Sequence, residues 1–166
     1  GYALTAVVGK RSVMEAAQTS FISSTFWTER IGPTAALATL KVMEEVKSWE
    51  IISKIGKKVQ EGWKSLASIH GLKIELAGIP ALSTYSFKSE NGLAYKTLIA
   101  QEMLKKKILA STNFYASIAH EDTILEKYFA ELDIVYGLIK KCENQELSVN
   151  DLLEGPICHS GFKRLN

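Results

Sequence analysis

The sequence lacks the features that mark several large classes of protein. Its net charge is only +2, from 20 Lys and Arg against 18 Asp and Glu, and the basic residues are scattered among acidic ones. Because a nucleic-acid binder concentrates positive charge beside stacking aromatics, we expect no nucleic-acid partner. No apolar run reaches the roughly 20 residues that span a bilayer, and the first residues do not have the layout of a signal peptide. We therefore expect a cytoplasmic protein without a membrane segment.

Cysteine is also scarce, and its spacing is uninformative. The 2 cysteines, Cys142 and Cys158, form no CxxC pair, which favours reduced thiols over a disulfide framework or a metal site. A glycine-rich phosphate loop is missing as well, so the P-loop and dinucleotide-binding fingerprints are absent. No internal repeat or low-complexity segment replaces them.

The start of the chain reads as the interior of a protein. Residues 4–8 form a continuous apolar run typical of a buried strand, and a free chain end rarely begins inside a core strand. We therefore expect the chain to be the C-terminal part of a longer polypeptide. A short helix over 12–18 and a second buried strand over 21–24 are predicted to follow.

The stretch over 21–40, FISSTFWTERIGPTAALATL, is the most informative one. It reads as a strand that stops in a polar turn and restarts as an Ala-rich helix behind Gly32 and Pro33. Such a turn brings hydroxyls, free backbone N–H groups and a helix N-terminus to one point, which is how proteins hold an anion such as phosphate. The sequence predicts a bound anion at this turn.

Periodicity predicts the remaining elements and a change of character near residue 48. In chain order they are helices over 34–47 and 48–70, two antiparallel strands over 72–76 and 82–87, a helix over 93–107, a strand over 113–119, a helix over 121–141 and a helical turn at 148–151. Residues 1–47 resemble the edge of an α/β layer. Residues 48–166 resemble a small α+β domain whose antiparallel sheet is covered by helices.

Three segments together resemble one family, the class III pyridoxal-phosphate aminotransferases, which include glutamate-1-semialdehyde aminomutase and the omega-amino-acid transaminases. The segments are GYALTAVVGKRSVME, STFWTERIGPTAALATL and AQEMLKKKILASTNFYASIAHEDTILEKYFAELD. Their order and separation agree with the family, and the resemblance covers nearly the whole chain. It implies a fold-type I enzyme whose large domain ends within residues 1–47 and whose C-terminal small domain is residues 48–166.

The resemblance also implies the chemistry and the assembly. Members of the family use pyridoxal 5'-phosphate, bound as a Schiff base to a lysine, and this lysine would lie about four positions upstream of Gly1. We therefore expect this chain alone to be inactive and to hold only part of an active site. The intact protein is expected to be a homodimer that moves an amino group between a small-molecule donor and a carbonyl acceptor.

One cofactor contact can be carried over to this sequence. In the family, a threonine five positions before the motif proline reaches the cofactor phosphate of the partner subunit. Counting back from Pro33 gives Thr28, but the letters STF imitate the usual GTF, so Thr25 with a short insertion is the competing assignment. Either hydroxyl also suits a simple helix cap. The pair Glu29 and Arg30 departs from the family pattern and is interpreted as a determinant of specificity.

The other chemistry-bearing residues are interpreted conservatively. His120 is predicted to be a structural histidine, and Cys158 beside His159 an incidental pair. Lys163 and Arg164 are predicted to be solvated, with contact to a substrate carboxylate as the alternative. Trp27 is a candidate wall of the site, whereas Trp49 and Trp63 are predicted to be core residues on a helix face.

Transamination is the favoured function. Two alternatives remain at this point. One is intramolecular transfer by a semialdehyde aminomutase, and the other is a free-standing α+β interaction module without a cofactor, in which the turn at Thr28 only starts a helix.

Overall fold

A computed structural model describes residues 2–22 and 25–161 of the chain. It divides into two compact units, residues 1–48 and 49–166. The first unit contains α1 (Arg11–Met14), a 3₁₀-helix (Glu15–Thr19) and α2 (Ile31–Val46). The second unit contains nearly all of α3 (Ser48–Ile69), then β1 (Ile74–Ile79), β2 (Leu82–Phe87), α4 (Gly92–Lys105), β3 (Asn113–Tyr115), α5 (Asp122–Glu143) and α6 (Val149–Leu152).

The two strands predicted in the first unit are wrong for the described residues. Residues 4–8 form no strand, and Val7 and Val8 are 83% and 89% exposed instead of buried. Phe21 and Ile22 are likewise exposed and form no strand, while the rest of that predicted strand, 23–24, lies outside the described residues. Apolar β-branched sequence becomes a strand only when a neighbouring backbone accepts and donates its hydrogen bonds. No described segment of this unit provides such a neighbour.

Helix α2 forms where the sequence predicts a helix, but its apolar stripe is not buried. Leu37 and Leu40 are 70% and 60% exposed, and Val42 is half-exposed. The one buried residue of the helix is Gly32 in its first turn. The periodicity therefore identified the helix, whose apolar residues are exposed in the described structure.

The second unit has the predicted architecture, a three-stranded antiparallel sheet in the order β1-β2-β3 with helices packed on one face. The hairpin pairs Ile74 with Phe87 and Ile79 with Leu82. Gly71 follows α3 at φ +60°, the left-handed conformation in which glycine is favoured over residues that carry a Cβ. The fold expected for the small domain is thus present.

The core of this unit is an aromatic cluster between the sheet and the helices. Trp63 of α3 lies 4.5 Å from Tyr85 of β2, measured between ring centroids, and donates its indole N–H to the Tyr128 hydroxyl of α5 at 2.7 Å. Burial raises the pKa of Tyr128 well above its ordinary value of 10.0. Aliphatic residues from the three helices complete the core: Val59, Leu98, Ile99, Met103, Leu125, Leu132 and Ile139.

Trp49 is a correction to the predicted core. It is 49% exposed, whereas Trp63 is fully buried. Trp49 stands at the second position of α3, before the helix reaches the aromatic cluster, so its ring has little core to enter. None of the helices in the described part of the chain combines the length and the apolar character that a bilayer crossing requires.

Candidate functional site

The polar turn before α2 is the candidate site. Thr25 and Thr28 are both exposed in it, and no described residue forms a hydrogen bond with either hydroxyl. Between them Trp27 has φ +41° and is 84% exposed, and its role as a wall of the site stays a prediction. Both hydroxyls are therefore available to form a hydrogen bond with a ligand, and no contact in the turn favours one over the other.

The N-terminus of α2 differs from the expectation, because its N–H groups are already bonded. The Glu29 carboxylate accepts hydrogen bonds from the backbone N–H groups of Ile31 and Gly32, the latter at 3.1 and 3.2 Å to its two oxygens. The expectation of free backbone N–H groups at this turn is wrong for these two residues. The negative charge at the helix start is supplied by the chain itself, which suits the positive end of the helix dipole.

Arg30 plays a backbone role in the same turn. It is the N-cap residue of α2, makes no side-chain cap hydrogen bond, and its carbonyl accepts the first helical bond from Thr34 at 3.0 Å. Its guanidinium has no ion-pair partner within the described residues and does not pair with Glu29. The two side chains form no ion pair with each other, and the interpretation of this pair as a determinant of specificity stays a prediction.

His120 is structural, as predicted. Its Nδ1 accepts a hydrogen bond from the Ser117 backbone N–H at 3.0 Å, and its ring lies 4.8 Å from that of Phe114. Because Nδ1 accepts, the neutral ring is assigned its proton on Nε2. The histidine's hydrogen bond therefore joins Ser117 and His120 across the loop between β3 and α5.

The chain's tail is held on α4 by contacts that the sequence did not reveal. Gln101 donates to the Leu152 carbonyl at 2.9 Å and accepts from the Glu154 N–H at 2.8 Å. Farther along, the Cys158 N–H donates to the Thr97 hydroxyl at 3.0 Å. The tail has no periodicity, so these side-chain to backbone bonds left no signal in the sequence.

The rest of the tail, as far as the structure describes it, holds no candidate metal cluster. His159 is exposed, and the described residues contain no cluster of three or more His, Cys, Asp or Glu side chains that suits a metal ion. Lys163 and Arg164 lie outside the described residues. Every lysine within the described ranges is exposed or half-buried. None of these lysines has the buried position that desolvates and activates a Schiff-base amine.

Several known proteins resemble this chain in sequence. No family model matches the chain. It is 25% identical over 129 residues to a 3-aminobutyryl-CoA aminotransferase of Cloacimonas acidaminovorans (strain Evry), covering 77% of this chain and 28% of that protein. It is 28% identical over 138 residues to a 2'-deamino-2'-hydroxyneamine transaminase of Streptomyces kanamyceticus, covering 80% of this chain and 35% of that protein. An aminopentol aminotransferase of Sphingopyxis macrogoltabida is 24% identical over 122 residues, covering 72% of this chain and 29% of that protein.

A solved structure also resembles this chain in its fold. The FumI protein of Sphingopyxis sp. MTA144, in its PLP internal aldimine form, matches 88% of this chain and 36% of its own, with a TM-score of 0.69 and 19% identity. The chain spans about a third of the length of the relatives it matches. The resemblance to aminotransferases read from the sequence is thereby confirmed, and the fold is that of one part of such a protein.

Proposed function

We propose that this chain is the C-terminal part of a class III, fold-type I aminotransferase that uses pyridoxal 5'-phosphate. The observation that carries the proposal is the agreement of fold and sequence over the same residues. The FumI match covers 88% of the chain, and the curated aminotransferases align with 72–80% of it. A free-standing module has no such observation in its favour.

Transfer between two molecules is the reaction that the relatives support. All three curated relatives are named for the transfer of an amino group, as aminotransferases or a transaminase. A small-molecule amine is the proposed donor and a carbonyl compound the acceptor. No observation favours the aminomutase alternative.

The described residues fit a partial role toward the cofactor. When bound, pyridoxal phosphate supplies an aldehyde and an electron sink for amino-group chemistry. This chain would hold its phosphate through the hydroxyl of Thr28, or of Thr25, because both are exposed and free of other partners in the described structure. The Schiff-base lysine belongs to the preceding part of the protein, so the 166 residues alone are proposed to be inactive.

A homodimer in the cytoplasm completes the proposal. In the resembled family the threonine serves the partner subunit, so the turn before α2 would lie at a subunit interface. The exposed apolar residues of the first unit, such as Leu37 and Phe21, support burial of this surface in the intact protein.

Cofactor binding by the full-length protein tests the proposal. We expect it to bind pyridoxal phosphate far more tightly than pyridoxal, which lacks the phosphate, since charge-assisted hydrogen bonds to a phosphate strengthen binding. Equilibrium dialysis of both compounds measures the difference. Failure to bind pyridoxal phosphate would remove the cofactor from the proposal.

Two threonine variants then separate the competing contacts. Thr28→Val should weaken pyridoxal phosphate binding by about 5-fold to 150-fold, the equivalent of losing one charge-assisted hydrogen bond of about 1–3 kcal/mol. Thr25→Val is the matched control, with the same chemistry three residues earlier in the turn. An effect confined to Thr25→Val would reverse the assignment, and no effect of either would end it.

A further inference from the structure

We infer that the Glu29 carboxylate is the anion bound at the N-terminus of α2, and that it prevents a ligand phosphate from forming hydrogen bonds with the first N–H groups of the helix. The hydroxyls of the turn and the N-cap residue Arg30 are then the groups left to meet a phosphate. The first statement stands on the contacts of this chain, whereas the second rests on the proposed function.

A complete count of donors supports the inference. Four backbone positions at the start of an α-helix lack an intrahelical acceptor. In α2 these are Arg30, Ile31, Gly32 and Pro33, since the Thr34 N–H already bonds to the Arg30 carbonyl. Proline has no N–H, and both Ile31 and Gly32 donate to Glu29. Of the four positions, only the N-cap residue Arg30 keeps a backbone N–H without a bond in the described structure, and this residue precedes the helix.

The position of Gly32 adds a steric argument. Gly32 is the buried residue of α2. A Cβ built on it would lie 3.4 Å from Glu29 Oε2, 3.8 Å from the Ala3 carbonyl oxygen and 3.8 Å from Leu4 Cβ. The space beside the Gly32 Cα is therefore bounded by the carboxylate and by the preceding segment of the same unit. The Gly32 N–H is already bonded to that carboxylate, so a phosphate would have to displace it.

Tethering makes such displacement unfavourable. Glu29 is two residues from Ile31, so its carboxylate competes as an intramolecular ligand, with an effective concentration on the order of millimolar or more. The Glu29 backbone N–H also donates to the Phe26 carbonyl at 2.8 Å. Glu29 thus joins the turn that carries Thr25 and Thr28 to the first turn of the helix.

Hydrogen–deuterium exchange of the full-length protein tests the inference. Exchange of the Ile31 and Gly32 amides is measured by mass spectrometry with fragmentation that resolves single residues, first without pyridoxal phosphate and then with it. We compare the natural protein with Glu29→Ala, Glu29→Gln and Glu44→Gln. Glu44 is an exposed glutamate near the other end of α2, so its variant controls for loss of charge.

Without the cofactor, Glu29→Ala should raise the exchange rate of both amides on the order of tenfold or more, because each loses a bond to a charged acceptor. Glu29→Gln keeps an accepting oxygen and should give an intermediate rate. Glu44→Gln should leave both rates unchanged. Rates in Glu29→Ala and Glu29→Gln equal to those of the natural protein would overturn the inference.

The measurement with pyridoxal phosphate tests the second statement, that the Glu29 carboxylate prevents the phosphate from bonding to the first N–H groups of α2. With pyridoxal phosphate bound, both amides should still exchange rapidly in Glu29→Ala, since the phosphate does not replace the carboxylate. Renewed protection of Ile31 and Gly32 in the loaded Glu29→Ala protein would show that the phosphate takes these donors, which overturns the statement. A protein that binds no cofactor would instead refute the proposed function, while the comparison without cofactor would still decide whether Glu29 is the cap.

Discussion

Several polar side chains in this chain form hydrogen bonds with the backbone. Glu29 bonds the first turn of α2, Gln101 holds the tail, and His120 closes a loop. In contrast, the hydroxyls of Thr25 and Thr28 have no bond to any described residue. In the turn before α2, Glu29 thus bonds the backbone while the hydroxyls of the two threonines do not.

The Tyr95 and Glu143 pair gives a prediction at this scale. The Tyr95 hydroxyl and the Ser89 hydroxyl each donate to Glu143 Oε1 at 2.7 Å, and these bonds lower the pKa of Glu143 from its ordinary value of 4.5. Burial, with the bond to Glu143, raises the pKa of Tyr95 to about 12. Because Glu143 is largely exposed, Tyr95→Phe should lower the free energy of unfolding by only about 1 kcal/mol at pH 7.

The pH dependence of that effect has a definite sign. A carboxyl whose folded pKa lies below its unfolded value stabilises the fold above the unfolded pKa, and this contribution is lost as the pH falls through the folded pKa. The difference between natural protein and Tyr95→Phe should therefore shrink below pH 4.5. Urea unfolding at several pH values measures it, with the exposed Tyr115 as control in Tyr115→Phe. A difference that grows on acidification would contradict this account.

The sequence predicted the positions of the candidate residues better than it predicted their hydrogen-bond partners. Polarity and the following Pro33 located the turn and its two threonines. The role of Glu29 was missed because it depends on the residue at which the helix begins. The sequence favoured a start near Thr34, whereas α2 begins at Ile31. That shift of three residues places the carboxylate beside the first N–H groups.

At the scale of elements, success followed the presence of a packing partner. Helices α3 and α5 were predicted within about two residues at each end, and their apolar stripes reach the core through Trp63, Val59, Tyr128 and Ile139. The predicted strands over 4–8 and 21–24 also contain apolar residues but have no partner strand among the described residues. Local pattern reports a propensity, and the neighbouring backbone decides whether a strand forms.

The contact between α3 and the hairpin turn gives a prediction at this scale. A Cβ added to Gly56 would lie 1.7 Å from the Pro80 carbonyl oxygen, so helix and turn must separate to admit it. Gly56→Ala should lower the free energy of unfolding by about 2–3 kcal/mol, although alanine favours the helix by about 1 kcal/mol. Gly155 has no neighbour within 4 Å of an added Cβ. Gly155→Ala is therefore the matched control, with an expected change within about 0.5 kcal/mol. Equal urea midpoints for the two variants would show that the close approach is not stabilising.

At the scale of the whole molecule, the two units differ in how they bury apolar surface. The second unit has a continuous aromatic and aliphatic core, whereas Val7, Phe21 and Leu37 of the first unit are largely exposed. Composition and periodicity predicted the second unit as a helix-covered antiparallel sheet. They did not predict the exposure of the first, because an apolar pattern reports which residues are apolar and not whether a packing partner is present.

Amino-group transfer by the full-length protein is the measurement that tests the central claim most directly. The protein is supplied with pyridoxal phosphate, pyruvate and a panel of heavy-nitrogen-labelled amines that includes an ω-amino acid and an amino alcohol. Mass spectrometry then follows the label. The account predicts that label moves from at least one amine to the carbonyl acceptor, and that omission of pyridoxal phosphate from the cofactor-free protein abolishes the transfer. A full-length protein that binds no pyridoxal phosphate and transfers no label from any amine would contradict it.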